Sequence, residues 1–186
     1  MHIRLIILSV LVSLLYTTAT AQTERPLEVG AQFTVLHVSP LREGAGSVGA
    51  RASYDLPFKK LTIAPEFEFN YFPQNPSGNF GETQLLAGAR AGIKIDKFGF
   101  FLKARPELVH FGGGDFVERN GSSNNLAVDV GGVFEYYISS RVALRLDWGD
   151  TMIRFPQPVF TGDSAMPKAA GWYHNFQGGG GVSFRF

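Results

Sequence analysis

Cysteine is absent from the 186 residues. Disulfides, thiolate metal sites and a lipidated cysteine anchor are therefore excluded. An excess of charge of either sign is also missing: 17 Lys and Arg stand against 16 Asp and Glu, and removing residues 1–21 takes only Arg4 from that balance. A neutral chain has no electrostatic footprint for nucleic acid or another polyanion. Beyond Tyr16 no apolar run approaches the roughly 20 residues of a membrane helix. The nucleophile elbow G-x-S-x-G, the Walker loop, the H-E-x-x-H pair and the EF-hand spacing do not occur. Those patterns place a nucleophile, a phosphate or a metal in a defined geometry. No catalytic, cofactor-binding or metal-binding residue is assigned, and no cofactor is expected.

What is present begins with a leader. Met1 to Arg4 carries one cation, Leu5 to Tyr16 is almost wholly apolar, and Ala19-Thr20-Ala21 has the small-x-small form of a cleavage site. The pattern is that of a secretory signal peptide over residues 1–21, too short in its apolar part to span a bilayer. Residues 22–186 remain as one domain, rich in Gly and Phe.

Eight segments of that domain alternate apolar and polar residues: Leu27 to Val38, Ser47 to Leu56, Leu61 to Phe72, Glu82 to Ile95, Phe98 to Phe111, Leu126 to Ile138, Val142 to Met152 and His174 to Phe186. Successive strand residues point to opposite faces, so each segment has one apolar and one polar side. Leu27, Val29, Phe33 and Val35 oppose Glu28, Gln32 and Thr34 in the first; Phe67, Phe69 and Tyr71 oppose Glu66, Glu68 and Asn70 in the third. The lengths match the 9–11 or so residues of a tilted transmembrane strand, about twice an ordinary globular strand.

The connections alternate in size. Pro57-Phe58-Lys59-Lys60, Asp96-Lys97 and Ser139-Ser140-Arg141 are tight, whereas Ser39 to Gly46, Pro73 to Gly81, Gly112 to Asn125 and Ile153 to Tyr173 are long. Short periplasmic turns and longer extracellular loops are the pattern of membrane barrels, and an even strand number then puts both mature termini in the periplasm. Pro65 and Pro106 interrupt two segments; proline cannot donate to a ladder, so a bulge or an unpaired carbonyl is expected at each.

The last residues, Val182, Ser183, Phe184, Arg185 and Phe186, form an alternating strand ending on an aromatic residue. With the leader and the eight segments, this resembles the small OmpA-like and OmpX-like outer-membrane β-barrel domain proteins. The resemblance implies an all-β, eight-stranded antiparallel up-and-down transmembrane barrel. Val182, Phe184 and Phe186 would be the insertion signal read by the barrel-assembly machinery. Larger relatives carry a periplasmic peptidoglycan-binding domain, a role not implied here. The implied partners are outer-membrane lipids including lipopolysaccharide, and an extracellular ligand at the loops, above all the third and fourth.

In such a barrel the polar face turns inward. A soluble lipocalin-like barrel would do the reverse. Glu28, Arg51, Glu66, Glu68, Arg90, Lys94, Lys103, Arg105, Glu107, Asp129, Glu135, Arg145, Asp147 and Arg185 then form an interior charge network, plugging so narrow a lumen. Counting back from the tight turns sets Arg51 opposite Glu66, Glu135 opposite Arg145, and Arg90 opposite Lys103. The last contact is repulsive unless Glu66, Glu68 or Glu107 intervenes. Aromatic girdles are expected from Tyr54, Phe58, Phe98, Tyr136, Phe184 and Phe186 at one end and Tyr71, Phe72, Phe111, Trp172, Tyr173 and Phe176 at the other. His37, His110 and His174 fall outward at the loop end. Gly178 to Gly181 marks a closely approached strand rather than a phosphate loop, since it opens no helix. The expected function is a structural or surface-interaction role of an integral outer-membrane barrel. A lipid-A-modifying enzyme, a narrow pore for small solutes and a secreted lipid-binding barrel are the alternatives.

Overall fold

Alternation carried over twelve or more residues per segment dictates the architecture. The structure, a computed structural model, describes residues 25–39, 43–73, 81–112, 123–160 and 168–186. The proposed leader and part of each long connection lie outside the described residues. The strands are β1 (Leu27–Val38), β2 (Glu43–Tyr54), β3 (Leu56–Phe58), β4 (Leu61–Phe72), β5 (Glu82–Ile95), β6 (Phe98–Phe111), β7 (Ser123–Tyr137), β8 (Val142–Phe155) and β9 (Gly171–Arg185). Four coincide with sequence segments. β2, β7, β8 and β9 start earlier or end later: Glu43 to Gly46 and Ser123 to Asn125 continue the ladder in β2 and β7, and Ile153 to Phe155 pair with Gly171 to Tyr173 between β8 and β9.

All pairings are antiparallel in the order β2-β1-β9-β8-β7-β6-β5-β4-β3, and β2 also pairs with β4, which closes the sheet. The short β3 continues β2 after Asp55, so the barrel has eight staves. Facing partners starting from His37 run through Phe176, Asp150, Val130, Ala104, Ala89 and Pro65. By the register flanking Asp55 the row passes Tyr54 and re-enters β1 at Leu27, ten residues before its start. That stagger forces the strands to tilt against the barrel axis, which sets the diameter of an eight-stranded barrel and leaves a lumen only side chains can fill.

Neither proline inserts a bulge. At Pro65 the ladder to the preceding stave breaks between Ser53↔Glu66 and Leu56↔Ile63, with the same register on both sides. At Pro106 the β5–β6 ladder lapses between Leu86↔Glu107 and Ala89↔Ala104, again without a shift. The missing N–H costs a rung rather than displacing the chain. The first tight turn is also shorter than expected: Pro57 and Phe58 belong to β3, and Lys59-Lys60 alone connects Phe58 to Leu61. Lys59 (φ 60°) and Asp96 (φ 50°) each open a two-residue turn with positive φ, matching the twist of the flanking strands. In the third turn the Ser139 hydroxyl accepts the N–H groups of Arg141 and Val142 at 3.2 and 3.1 Å.

The orientation of the faces is unambiguous. Phe67 is 48% and Leu144 46% exposed, whereas Glu66 is 4% and Arg145 1% exposed. Apolar side chains form the outer surface and ionised ones the interior.

Candidate functional site

The interior is the chemically dense part of the molecule, and strand alternation delivers every residue to it. Arg105 donates to Glu66 at 2.8 Å, Glu68 at 2.6 Å and Asp129 at 2.5 Å. Arg145 binds Glu66 through both terminal nitrogens and Asp147 at 2.7 Å. Lys103 bridges Asp129 at 2.9 Å and Asp147. Below this layer, toward the termini, Arg90 pairs with Glu135 and lies 3.5 Å from Asp55 and 3.6 Å from Glu28. Asp55 also takes Lys94 and, at 3.3 Å, Arg185. Burying such charges is tolerable because most of these anions, Glu66, Asp129, Asp147 and Asp55 among them, meet two or more cations.

The ion pairs run across the lumen rather than along the sheet. Glu135 does face Arg145, and Arg90 does face Lys103. Yet Arg145 binds Glu66 and Glu135 binds Arg90. The Arg90–Lys103 repulsion is relieved mainly by Glu135, Asp129 and Asp147, with Glu66 farther from Arg90 at 3.9 Å. Arg51 faces Glu68 rather than Glu66, because the turn is tighter by one residue pair. It donates to Ser183 Oγ at 2.6 Å and Gln32 at 3.2 Å and lies 3.9 Å from Glu28. In a barrel this narrow, long inward side chains meet near the axis, so the opposite wall is as near as the neighbouring strand.

Glu107 departs from the expected network. It is buried, but among the described residues it forms no ion pair, and both carboxyl oxygens lack a hydrogen-bond partner. Asp55, Tyr137 and an amide layer belong to the network and were not singled out by charge counting. Asn70 donates to Glu68 at 2.8 Å and Gln84 at 3.2 Å, Gln84 donates to Gln177, and Thr151 donates to Gln177 at 3.1 Å. Their signal in sequence was the polar phase of each strand. A void of about 10 Å³ beside Gln32, Thr34, Arg51 and Asp147 holds at most one water.

Above the amides the interior turns apolar. Leu36, Val38, Phe72, Val109, Phe111, Ile153 and Phe155 pack with Val159, which the fourth connection folds onto the mouth through its pairing with Lys168. Phe72 and Phe111 are therefore inside the barrel and not in a girdle, and Tyr173 packs against the same cluster. Phe58, Phe98, Phe184 and Phe186 at one end, and Tyr71, Trp172 and Phe176 at the other, are exposed on the outer face as expected.

All three histidines of the strands point outward. His110 Nδ1 lies 2.8 Å from Asn124 Oδ1. His174 Nδ1 lies 2.5 Å from Asp150 Oδ2, and Asp150 Oδ1 accepts the Asn175 N–H at 3.1 Å. Ser39 approaches this pair only through the His174 carbonyl, to which its hydroxyl donates at 2.5 Å.

No protein-family model matches the chain, and no curated protein matches it. Solved structures do. Neisserial surface protein A superposes with a TM-score of 0.55 at 16% identity, covering 86% of this chain and 97% of that one. The N-terminal β-barrel domain of Pseudomonas aeruginosa OprF gives 0.59 at 10% identity, over 89% and 100%. Ail, the attachment invasion locus protein of Yersinia pestis, gives 0.52 at 7% identity, over 87% and 97%. The fold is that of the small outer-membrane β-barrels. Phe33, Phe67, Leu102, Leu146 and Phe184 form an exposed apolar band on the barrel's outer face. Val182 is half-buried, and Phe184 and Phe186 are exposed beside it on that face.

Proposed function

We propose that the chain is an integral outer-membrane barrel, closed to solutes, with a structural or surface-interaction role exerted through its loops. Its tight turns and both mature termini then lie in the periplasm, and its outer face meets lipopolysaccharide and other outer-membrane lipids. The terminal strand with Val182, Phe184 and Phe186 serves the assembly machinery. One observation carries the reading. Salt bridges, an amide layer and an apolar cluster follow one another along the axis, which opposes a pore. Planar-bilayer recording of the refolded protein is expected to show no steady conductance; a large, stable conductance would replace this reading with a channel.

A second reading has one observation in its favour. The His174–Asp150 pair on the outer face has the orienting carboxylate of a general base. A barrel that modified the acyl chains of lipid A would place such a group there. No serine hydroxyl is bonded to His174 Nε2 among the described residues. The non-enzymatic reading expects His174→Ala to leave lipid A composition unchanged by mass spectrometry. An altered acylation pattern would favour the enzyme.

A further inference from the structure

At the end that carries the termini, the barrel mouth opens into a cavity of about 460 Å³ bordered by Arg25, Lys94, Asp96, Lys97, Tyr137 and Arg185, with the Ser139-Ser140 turn at its rim. Four cations thus face one acid. Beneath them Asp55 pairs with Lys94 and Arg185, and with Arg90 deeper in the lumen; one carboxylate cancels one unit of charge, so with Asp96 counted the mouth still holds an excess of cations. Arg25 spends one nitrogen on a 3.4 Å contact to the Arg185 carbonyl. The floor is the face of Tyr137, with Lys94 Nζ 5.3 Å and Arg185 Cζ 5.0 Å from its centre. Its hydroxyl is turned away, donating to Glu135 at 2.6 Å. Toward the other end of the lumen lie the apolar cluster and the buried Glu82 and Glu107. The positive mouth is a local feature of a chain whose charges nearly balance.

We propose that this mouth is a binding cup for a small organic oxyanion carrying two or more carboxylate or phosphate groups. Volume argues against a lone inorganic ion, since cavities of about 300–1,000 Å³ accommodate organic ligands. A low-dielectric floor under converging cations strengthens attraction for an anion entering from water. The exposed Ile138 beside the cations suits a carbon skeleton between the acid groups. Only the side of the membrane from which the ligand comes, the periplasm, rests on the topology proposed above. The C-terminal Phe186 is not among the lining residues.

Isothermal titration of the refolded full barrel in zwitterionic detergent at low salt tests this with citrate, fructose 1,6-bisphosphate and glucose. Saturable binding of citrate, the bisphosphate or both is expected, with none of glucose. Citrate alone would point to a carboxylate source and the bisphosphate alone to a phosphate source. The double variant Lys94→Gln/Lys97→Gln should bind about tenfold more weakly while migrating on a gel, boiled and unboiled, as the unaltered barrel does. If that variant does not fold, Lys97→Gln, on the exposed turn, is expected to weaken binding in the same direction. No binding of either anion up to about 10 mM, or unchanged affinity in a folded variant, would overturn the cup. Neither outcome bears on whether the lumen conducts.

Discussion

Glu66 and Glu107 are both buried carboxylates on the inner face of adjacent hairpins, yet their surroundings differ as much as any two residues here. Glu66 receives Arg105 and both terminal nitrogens of Arg145; among the described residues Glu107 receives no hydrogen bond. Removing one partner of a buried ion pair leaves the other charge uncompensated and costs about 3–5 kcal/mol. Glu66→Gln is therefore expected to lower stability by about that amount, read from urea unfolding in lipid vesicles. Glu107→Leu removes an unsatisfied buried group, whose cost is about 1–3 kcal/mol, and is expected to be neutral or stabilising in the same assay. Equal losses in the two variants would contradict the assignment. The period of two placed both residues inside, as expected from sequence. Which of them found a cation was not legible, because that depends on what lies across the lumen.

At the scale of the strand and its turns, sequence reading was most exact where apolar and polar residues alternate up to the ends of the run. β1, β4, β5 and β6 have the predicted limits. It erred where polar, glycine-containing stretches extend a ladder, as Glu43 to Gly46 do opposite Val35 to Val38. Backbone pairing there is supplied by the neighbouring strand and needs no apolar side chain. The glycines of β9 illustrate the same dependence. A Cβ on Gly181 would lie 2.3 Å from the Ala31 carbonyl oxygen and 2.9 Å from Gln32 Cβ, at the seam where the last strand, β9, pairs with the first, β1. Gly181→Val is expected to cost about 1–3 kcal/mol through overpacking and to reduce the fraction that migrates as a folded barrel without boiling. A wild-type folded fraction would show that the seam can relax.

Over the whole molecule, the decisive property is that polarity is inverted relative to a soluble protein. Leu102 is 75% exposed in the middle of β6, with Lys103 and Arg105 buried on the opposite face. Leu102→Arg would place a charge among lipid tails, which costs about 2–4 kcal/mol near the midplane. Reduced stability in vesicles and reduced assembly in the outer membrane are expected; an unaffected or more soluble protein would indicate a barrel that does not cross a bilayer. Closure acts at this scale too. The ten-residue stagger around the barrel sets how far apart the walls stand, and hence which inward side chains can touch.

The amino-acid sequence by itself determined the number of staves, their approximate length, which residues share a face, and the tight-turn and loop ends, because these follow from a two-residue period interrupted by turn-forming residues. Only the tertiary structure decided that salt bridges cross the lumen, that Phe72 and Phe111 seal it rather than line a girdle, that prolines break rungs without shifting register, and that cations gather at one mouth. Each of those depends on distances between strands far apart in the chain. Those distances are set by closure and tilt and have no counterpart in the local pattern.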